Sequence, residues 1–396
     1  MPSGSPRVAV VVPRYGAGVV GGAETLARLL AERLRAGGGD VEVLTTCARD
    51  HFTWRDELPA GTTVEGGVPV HRFPVSPHRD QAHYWRLHAA VAQLQRLDAM
   101  EQLEWMGHSV WSPGLQDALE DARRYDWVVA LPYLFGTTFW AVEGRADRVA
   151  LIPCVHDEPY AWLPLTRRML GAARGALANS EGEAELLARL APRTPFALVG
   201  VGFDPAPRPS RAAVEAFCAA RGIRPGYLLY AGRRETAKGL PLLFDGYRRL
   251  RALRPGAPPL ALMGSGPLAP PEDLAPHVVD LGYVPDADRD AAYAGAAVLV
   301  HPSRLESLGM VLLEAWRAGT PALVNGRSPV LAAHCRASGG GLWFGGEEEL
   351  AEAAALMLDD PGLRARMADA GAAYVATAFS WPEVTRRFWA ALESWS

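Results

Sequence analysis

The segment Ala231–Gly239 (AGRRETAKG) is the part of the sequence best suited to bind a phosphate. It carries three cations, Arg233, Arg234 and Lys238, between a predicted buried strand over Tyr227–Ala231 and a predicted helix. The carboxyl ends of strands in an open α/β sheet face the ligand crevice, and helix N-termini favour anions. Cations at this junction are therefore suited to a phosphate or diphosphate group.

Lys238 is the only lysine of the chain, since the other 39 of its 40 basic residues are arginines. A position that retains lysine in such a chain can need a compact point charge in place of a planar guanidinium. Chance is the alternative explanation. The place of Lys238 in a predicted phosphate loop favours a functional role.

Two further motifs follow predicted strands of the same half of the chain. The glycine turn Gly264-Ser265-Gly266-Pro267 is a weak signal alone, but it allows a ligand to approach the backbone closely. Glu306 and Glu314 lie eight residues apart, the first in a turn and the second on the following helix. Either glutamate alone could be an ordinary surface residue. Together they could face one crevice, where the amides of the turn suit anions or sugar hydroxyls.

The elements that must position these motifs form two α/β halves, because apolar runs alternate between strand and helix patterns. In the first half, strands are predicted at 7–12, 41–44, 68–73, 127–131, 149–155 and 177–179, with helices at 23–35 and 182–190. In the second, strands are predicted at 227–231, 260–263, 278–281, 298–301 and 322–324, with helices at 240–254, 288–294, 307–318, 347–358 and 362–375. A helical insertion is predicted at 81–124, and a proline-rich linker at 202–210.

The three motifs, in this order, resemble the donor half of retaining GT-B glycosyltransferases, in particular family 4 (glycosyl transferases group 1). The family pattern G-R-x4-K-G, G-x-G-P, P-S-x2-E-x2-G-x4-E-A-x3-G-x-P matches most of residues 227–325. The resemblance implies an α/β fold of two facing Rossmann-like, doubly wound domains with a helical insertion in the first. We expect an acceptor-binding domain at 1–203, joined by a C-terminal helix at 380–396, and a donor-binding domain at 204–379.

The resemblance also implies roles for individual residues. Arg233 and Lys238 are expected to neutralise the donor's diphosphate, Glu306 to hold the donor sugar, and Glu314 to bind the ribose hydroxyls. Backbone and base contacts to the nucleotide sugar are expected from Gly264, Ser265, Gly266, Tyr283, Val284, Leu308, Gly309 and Met310.

The first half offers fewer candidates. The glycine-rich turn after the first strand contains Gly18, Gly21 and Gly22, and its segment from Gly21 to Glu24 resembles the first loop of the family. His156 follows a predicted strand at its ligand-facing end, where the family often carries a histidine near the donor sugar. A lone histidine is more often structural, but this placement makes His156 a fourth catalytic candidate beside Arg233, Lys238 and Glu306.

The composition excludes several classes of protein. With 49% apolar and 21% charged residues the chain is neither disordered nor fibrous, and a net charge of −4 argues against nucleic acid as a partner. No signal peptide or membrane span is predicted, so any membrane contact is at most peripheral. The four cysteines form no CxxC pair, which indicates reduced thiols and a cytoplasmic location.

We expect no metal and no cofactor beyond the nucleotide sugar. Asp286 and Asp288 form a DxD sequence, but Asp288 is interpreted as the N-cap of a helix. UDP is the first choice of nucleotide over GDP and dTDP. A growing polysaccharide, a lipid-linked sugar or a small metabolite could be the acceptor.

Three alternatives are weaker. A nucleotide-sugar epimerase of the same architecture does not account for the pair of glutamates beside the cationic loop. A non-catalytic two-lobed binding protein has no use for a phosphate loop. A Rossmann oxidoreductase would need an acidic residue at the end of the second strand, whereas Asp40 precedes that strand.

Overall fold

The computed structural model describes residues 6–19, 21–121, 124–267 and 270–396. The chain divides into two compact units, the first Met1–Gly202 with Trp381–Ser396 and the second Phe203–Ser380.

The first unit is built on an eight-stranded sheet in the order β3-β4-β2-β1-β5-β6-β7-β8. Its strands are β1 Arg7–Val11, β2 Asp40–Thr46, β3 Gly61–Glu65, β4 Val68–Phe73, β5 Trp127–Ala130, β6 Val149–Leu151, β7 Gly175–Ala178 and β8 Phe196–Leu198. Every pairing is parallel except that of β3 with β4. The central strands read as continuous apolar runs because helices cover both faces of a parallel sheet.

Seven α-helices lie between Gly22 and Leu190 in the part of the first unit that the structure describes. They are α1 Gly22–Ala36, α2 Gln81–Ala92, α3 Ala99–Gly107, α4 Pro113–Glu120, α5 Gly136–Val142, α6 Pro164–Ala172 and α7 Glu181–Leu190. Helices α2, α3 and α4 are the insertion predicted at 81–124, of which residues 122 and 123 lie outside the described ranges. Asp98 and Glu101 form a reciprocal capping box at the start of α3.

The second unit has a six-stranded parallel sheet in the order β11-β10-β9-β12-β13-β14. Its strands are β9 Tyr227–Ala231, β10 Leu260–Met263, β11 Val278–Gly282, β12 Ala296–His301, β13 Ala322–Asn325 and β14 Gly341–Phe344. Its helices are α8 Arg211–Ala220, α9 Leu240–Leu253, α10 Asp286–Ala294, α11 Met310–Arg317, α12 Pro329–Ser338, α13 Glu347–Asp359 and α14 Pro361–Ala378.

The last helix, α15 (Trp381–Trp395), belongs to the first unit. Its apolar face buries Trp381, Phe388 and Leu392. It packs so closely on the sheet that a Cβ at Gly175 would lie 2.4 Å from the ring of Trp395.

The predicted fold class, two Rossmann-like α/β halves with a helical insertion in the first, is confirmed. Strands β3, β8 and β14 were not predicted, since β3 (GTTVE) is largely exposed and the others are short edge strands. Of the helices in the described ranges, none combines the length and the apolar character needed to cross a membrane.

Candidate active site

Lys238 lies where the chain passes from β9 to α9. It ends a short 3-10 turn, Thr236–Lys238, and the following Gly239 adopts a left-handed conformation with φ 82°. Gly239 packs against the end of β12, because a Cβ there would lie only 2.6 Å from the carbonyl oxygen of Pro302. This close approach carries the Lys238 side chain to the segment that contains Glu306.

Glu306 receives the Lys238 ammonium on its carboxylate. Lys238 Nζ donates to Glu306 Oε1 at 2.8 Å, and Nε2 of the buried His301 lies 3.3 Å from the same oxygen. Burial alone would raise the pKa of Glu306, but the charge of Lys238 and the contact with His301 hold that pKa well below its ordinary range. Glu306 is therefore a carboxylate at neutral pH.

The two arginines of the loop have different environments. The Arg233 side chain is about half exposed, at 49%, and forms an ion pair with Glu235, itself 42% exposed, at 3.0 Å. Arg234 is 3% exposed and pairs with Asp280. Of the three cations grouped in the sequence, Arg234 is thus turned into the unit and is not available as a phosphate ligand.

The glycine turn after β10 lies directly beside the cationic loop. A Cβ at Gly264 would lie 2.0 Å from the carbonyl oxygen of Gly232, so only glycine fits at this contact. Ser265 and Gly266 are exposed. After β11, Tyr283 is 62% exposed whereas Val284 is buried, so the Tyr283 ring is accessible and the Val284 side chain is not.

Helix α11 begins at Met310, after Gly309 in a left-handed conformation. The first N–H groups of a helix have no carbonyl one turn earlier, so those of Gly309 and Met310 are suited to an anion or a hydroxyl. Leu308 is buried, and its carbonyl accepts from His334 at 3.0 Å. The helix starts three residues later than the sequence indicated, because the chain from Ser307 to Gly309 forms the turn.

Glu314, on α11, is held by two residues of α10. Tyr293 Oη donates to its Oε2 at 2.7 Å, and Arg289 Nη1 lies 3.4 Å from Oε1. Burial raises the pKa of Glu314 against the opposing effects of Arg289 and Tyr293. The sequence singled out neither α10 residue.

The interpretation of Asp288 as an N-cap is wrong. Helix α10 begins at Asp286 with Pro285 as its N-cap, so Asp288 lies within the first turn. Asp286 pairs with Arg289, and Asp288 lies 3.9 Å from Arg221. Among the residues that the structure describes, no three histidine, cysteine, aspartate or glutamate side chains form a group that could hold a metal ion.

In the first unit, His156 follows β6 and contacts the partly buried carboxylate of Glu158. His156 Nδ1 lies 3.4 Å from Glu158 Oε1, which also accepts from Tyr133 Oη at 2.7 Å. Burial opposes ionisation of Glu158, but its contacts with His156 and Tyr133 leave its pKa below the ordinary value. His156 therefore faces a carboxylate on its Nδ1 side.

Glu183 is a buried residue that sequence reasoning missed. It accepts from the Val155 N–H at 2.6 Å and the Asn179 N–H at 2.6 Å, and so joins the segments that follow β6 and β7. Burial raises the pKa of Glu183 to about 7 despite these donors. The pattern Ser180-x-x-Glu183 at a helix start could have indicated it, since Ser180 caps α7.

The glycine loop of the first unit leads into α1. Gly18 has a φ of +84°, Gly21 is the N-cap of α1 and Gly22 is its first residue, whereas Val20 lies outside the described ranges. The loop is fixed by a buried pair in which Arg14 Nε donates to Glu24 Oε1 at 3.0 Å. The predicted residues are thus divided between the two units, with His156 and this loop in the first and the remainder in the second.

Two family models cover most of the chain. The model of glycosyl transferases group 1 matches residues 221–374, and that of a glycosyl transferase 4-like domain matches residues 21–202. A D-inositol 3-phosphate glycosyltransferase of Streptomyces bingchenggensis is 30% identical, over 92% of this chain and 83% of its own length. The chain belongs to the group 1 family of glycosyltransferases. The predicted resemblance is confirmed, and the matches extend over both units of the glycosyltransferase.

Solved structures share the fold. Sucrose-phosphate synthase from Thermosynechococcus elongatus superimposes on this glycosyltransferase with a TM-score of 0.73 over 98% of each chain, at 17% identity. Anabaena HepE in complex with UDP-glucose does so with a TM-score of 0.69, over 98% of this chain and 100% of that chain, at 17% identity. The GT-B architecture of the glycosyltransferase is therefore shown.

Proposed function

We propose that this glycosyltransferase binds the nucleoside diphosphate sugar in its second unit, at the carboxyl ends of β9, β10 and β12. The observation that carries this proposal is the 2.8 Å contact between Lys238 and Glu306 beside the first amides of α11. A cation suited to phosphate and a carboxylate suited to sugar hydroxyls are in direct contact, and Glu306 precedes the N-cap of α11 by three residues, which supports the proposal. The matched family model spans all three strand ends.

Lys238 and Arg233 act on the leaving group. As the bond between the sugar and the diphosphate breaks, negative charge develops on the departing phosphate oxygen. An ammonium and a guanidinium fixed nearby stabilise that charge, as preorganised groups do in other transfer reactions. Because two side chains supply this charge, the proposed reaction needs no metal ion.

Glu306 and Glu314 contact different parts of the donor. Glu306, ionised and next to Lys238, accepts from hydroxyls of the donor sugar near the reacting carbon. Glu314 accepts from the ribose hydroxyls, which the reaction leaves unchanged. Its carboxylate is already oriented by Tyr293 and Arg289, so little ordering is needed on binding.

The acceptor hydroxyl attacks the anomeric carbon from the face that the diphosphate leaves. The bond from that carbon to the diphosphate breaks, the bond to the acceptor oxygen forms, the proton of the acceptor hydroxyl passes to the departing phosphate oxygen, and the configuration is retained. We propose that His156 is a catalytic residue near the donor sugar, since the contact of its Nδ1 with Glu158 fixes the orientation of the imidazole ring.

The first substrates to test are those for which similar proteins were solved or named. UDP-glucose is the first donor, because HepE of the same fold was solved with it. D-inositol 3-phosphate is the first acceptor, because relatives that match over most of both chains are named for it. A growing polysaccharide, a lipid-linked sugar and a small metabolite are the further acceptor classes. None of the four cysteines, all of which lie in the described ranges, forms a disulfide, which fits a reducing compartment such as the cytoplasm.

The test is product analysis by proton NMR with a panel of nucleoside diphosphate sugars and these acceptors, with and without EDTA. We expect a new glycosidic product whose anomeric configuration equals that of the donor, at a rate that EDTA does not change. An inverted product would contradict retention. Activity lost in EDTA and restored by magnesium or manganese would contradict metal independence.

A further inference from the structure

The side chain of Arg234 is buried in the second unit, beside the carboxyl ends of β10 and β11. It is 3% exposed, whereas that of the adjacent Arg233 is 49% exposed. A guanidinium is rarely buried unless several acceptors receive its N–H groups. The acceptors of Arg234 therefore indicate what it does.

These acceptors belong to two neighbouring strands and the turn between them. Arg234 Nη1 donates to Asp280 Oδ2 at 2.9 Å, and Nη2 contacts Asp280 Oδ1, so the carboxylate is bound by two parallel hydrogen bonds. Nη2 also donates to the Leu262 carbonyl at 3.1 Å, and Nη1 lies 3.5 Å from the Gly266 carbonyl. One side chain from the segment after β9 thus connects β10, its glycine turn and β11.

Asp280 extends this connection to the residues that follow β11. Its Oδ1 accepts from the Gly282 N–H at 2.6 Å, and the Gly282 carbonyl accepts from the Gly264 N–H at 2.8 Å. The backbone N–H of Arg234 donates to the Ser265 carbonyl at 2.8 Å. A closed set of bonds therefore fixes the turn Gly264–Gly266 relative to Gly282 and Tyr283.

The turn after β10 and the residues after β11 depend on these hydrogen bonds because their own side chains make few contacts. The turn after β10 consists of two glycines and an exposed serine, and Tyr283 is 62% exposed. Lysine could not replace the guanidinium, because one ammonium cannot give two parallel bonds to Asp280 and reach two carbonyls as well.

We propose that Arg234 and Asp280 are positioning residues that hold the base-binding side of the donor site, so that they determine nucleotide affinity and the discrimination between bases. This inference rests on the proposed function, since it assigns the base to the segments around Gly266 and Tyr283. Lys238, in contrast, acts on the diphosphate, which is common to all nucleoside diphosphates.

The experiment measures the dissociation constants of UDP, GDP, ADP and dTDP by isothermal titration calorimetry. The variants are Arg234→Met, Arg234→Lys and Asp280→Asn, with Arg248→Met as the matched control. Arg248 also binds an aspartate through two bonds, to Asp273 at 2.6 and 3.1 Å, but on the exposed surface of α9. Thermal unfolding of each variant identifies a temperature at which all are folded.

We expect each Arg234 and Asp280 variant to weaken binding of the preferred nucleotide about ten-fold and to bring the four dissociation constants closer together. Lys238→Ala should weaken all four by a similar factor and so preserve their ratios. Arg248→Met should change neither quantity. Asp280→Asn keeps the inference testable if Arg234→Met does not fold, because the Asp280 side chain is 43% exposed.

Affinities and ratios within two-fold of the wild-type protein in the folded variants would overturn the inference, even where the melting temperature falls. Failure of the wild-type protein to bind any of the four nucleotides would overturn the proposed function itself, and the two failures are therefore distinguishable.

Discussion

At the scale of single residues, the donor site depends on charges that are placed before the ligand arrives. Lys238 is partly buried, with 23% of its side chain exposed, and is held by Glu306. A cation fixed in this way loses little conformational freedom on binding a diphosphate. Preorganisation of this kind is what electrostatic stabilisation of a leaving group requires.

Substitution of Lys238 tests this arrangement. Lys238→Ala should lower kcat by about a hundred-fold, a typical loss for one preorganised group at a developing charge. Lys238→Arg keeps the charge but brings a wider, planar head, so a smaller loss is expected. Steady-state kinetics at saturating donor, with circular dichroism as a control for folding, measures both. Near wild-type turnover of Lys238→Ala would mean that the ammonium does not act on the leaving group.

The two glutamates should respond differently to substitution. Glu314→Ala removes contacts to ribose, which are equal in the ground state and the transition state, so the KM for the donor should rise with little change in kcat. Glu306→Ala removes a group near the reacting carbon and should lower kcat. Measurement of kcat and KM of the two variants with one donor tests this difference. The opposite pattern would show that their roles are exchanged.

At the scale of elements, the ends of the strands place most of the candidate residues. β6 and β7 in the first unit end in segments that the buried Glu183 joins, and Val155, which it binds, directly precedes His156. Because burial raises the pKa of Glu183 from 4.5 to about 7, the ionised form opposes folding. Its stabilising contribution is complete below about pH 4.5 and is lost as the pH rises toward 7.

Glu183→Gln should therefore become more stable relative to the wild-type protein as the pH rises. The expected change is roughly 3 kcal/mol between about pH 4.5 and pH 7, because burial raises the pKa of the Glu183 carboxyl from 4.5 to about 7. Urea unfolding of both proteins at several pH values measures it. Glu181→Gln, on the exposed side of the same helix, is the control and should show no such trend. A difference that does not vary with pH would contradict the burial argument.

Much of this arrangement could be predicted from the sequence, because parallel strands read as apolar runs and their carboxyl ends share one edge. The loop of Lys238, the turn of Gly264 and the pair Glu306 and Glu314 were found in this way. Contacts between side chains that are distant in sequence could not be predicted. The sequence does not distinguish Arg234 from Arg233, because Asp280, the partner of Arg234, lies 46 residues away. Likewise, no pattern indicated that Tyr293 would contact Glu314.

Boundaries were predicted less well than elements. The helix over Glu314 begins at Met310 because Gly309 adopts a left-handed conformation, which apolar periodicity cannot indicate. The interpretation of Asp288 failed for a related reason, since Pro285 takes the N-cap position and moves the helix start by two residues. Caps depend on local backbone conformation as well as residue type.

At the scale of the whole molecule, the central claim is that the single lysine of the chain contacts the diphosphate of the donor. The composition makes this claim unusually accessible to experiment, because 39 of the 40 basic residues are arginines. Lys238 and the terminal amine are therefore the primary amines of the protein. An amine-reactive reagent reports on both at once, with the terminal amine as an internal reference.

The decisive measurement is the rate at which such a reagent modifies Lys238, followed by mass spectrometry, with and without saturating UDP, GDP or dTDP. We predict that the bound nucleotide slows modification of Lys238 but not of the terminal amine, and that loss of transferase activity follows the modified fraction of Lys238. Equal rates of modification with and without every bound nucleotide, or full activity after complete modification of Lys238, would contradict the account.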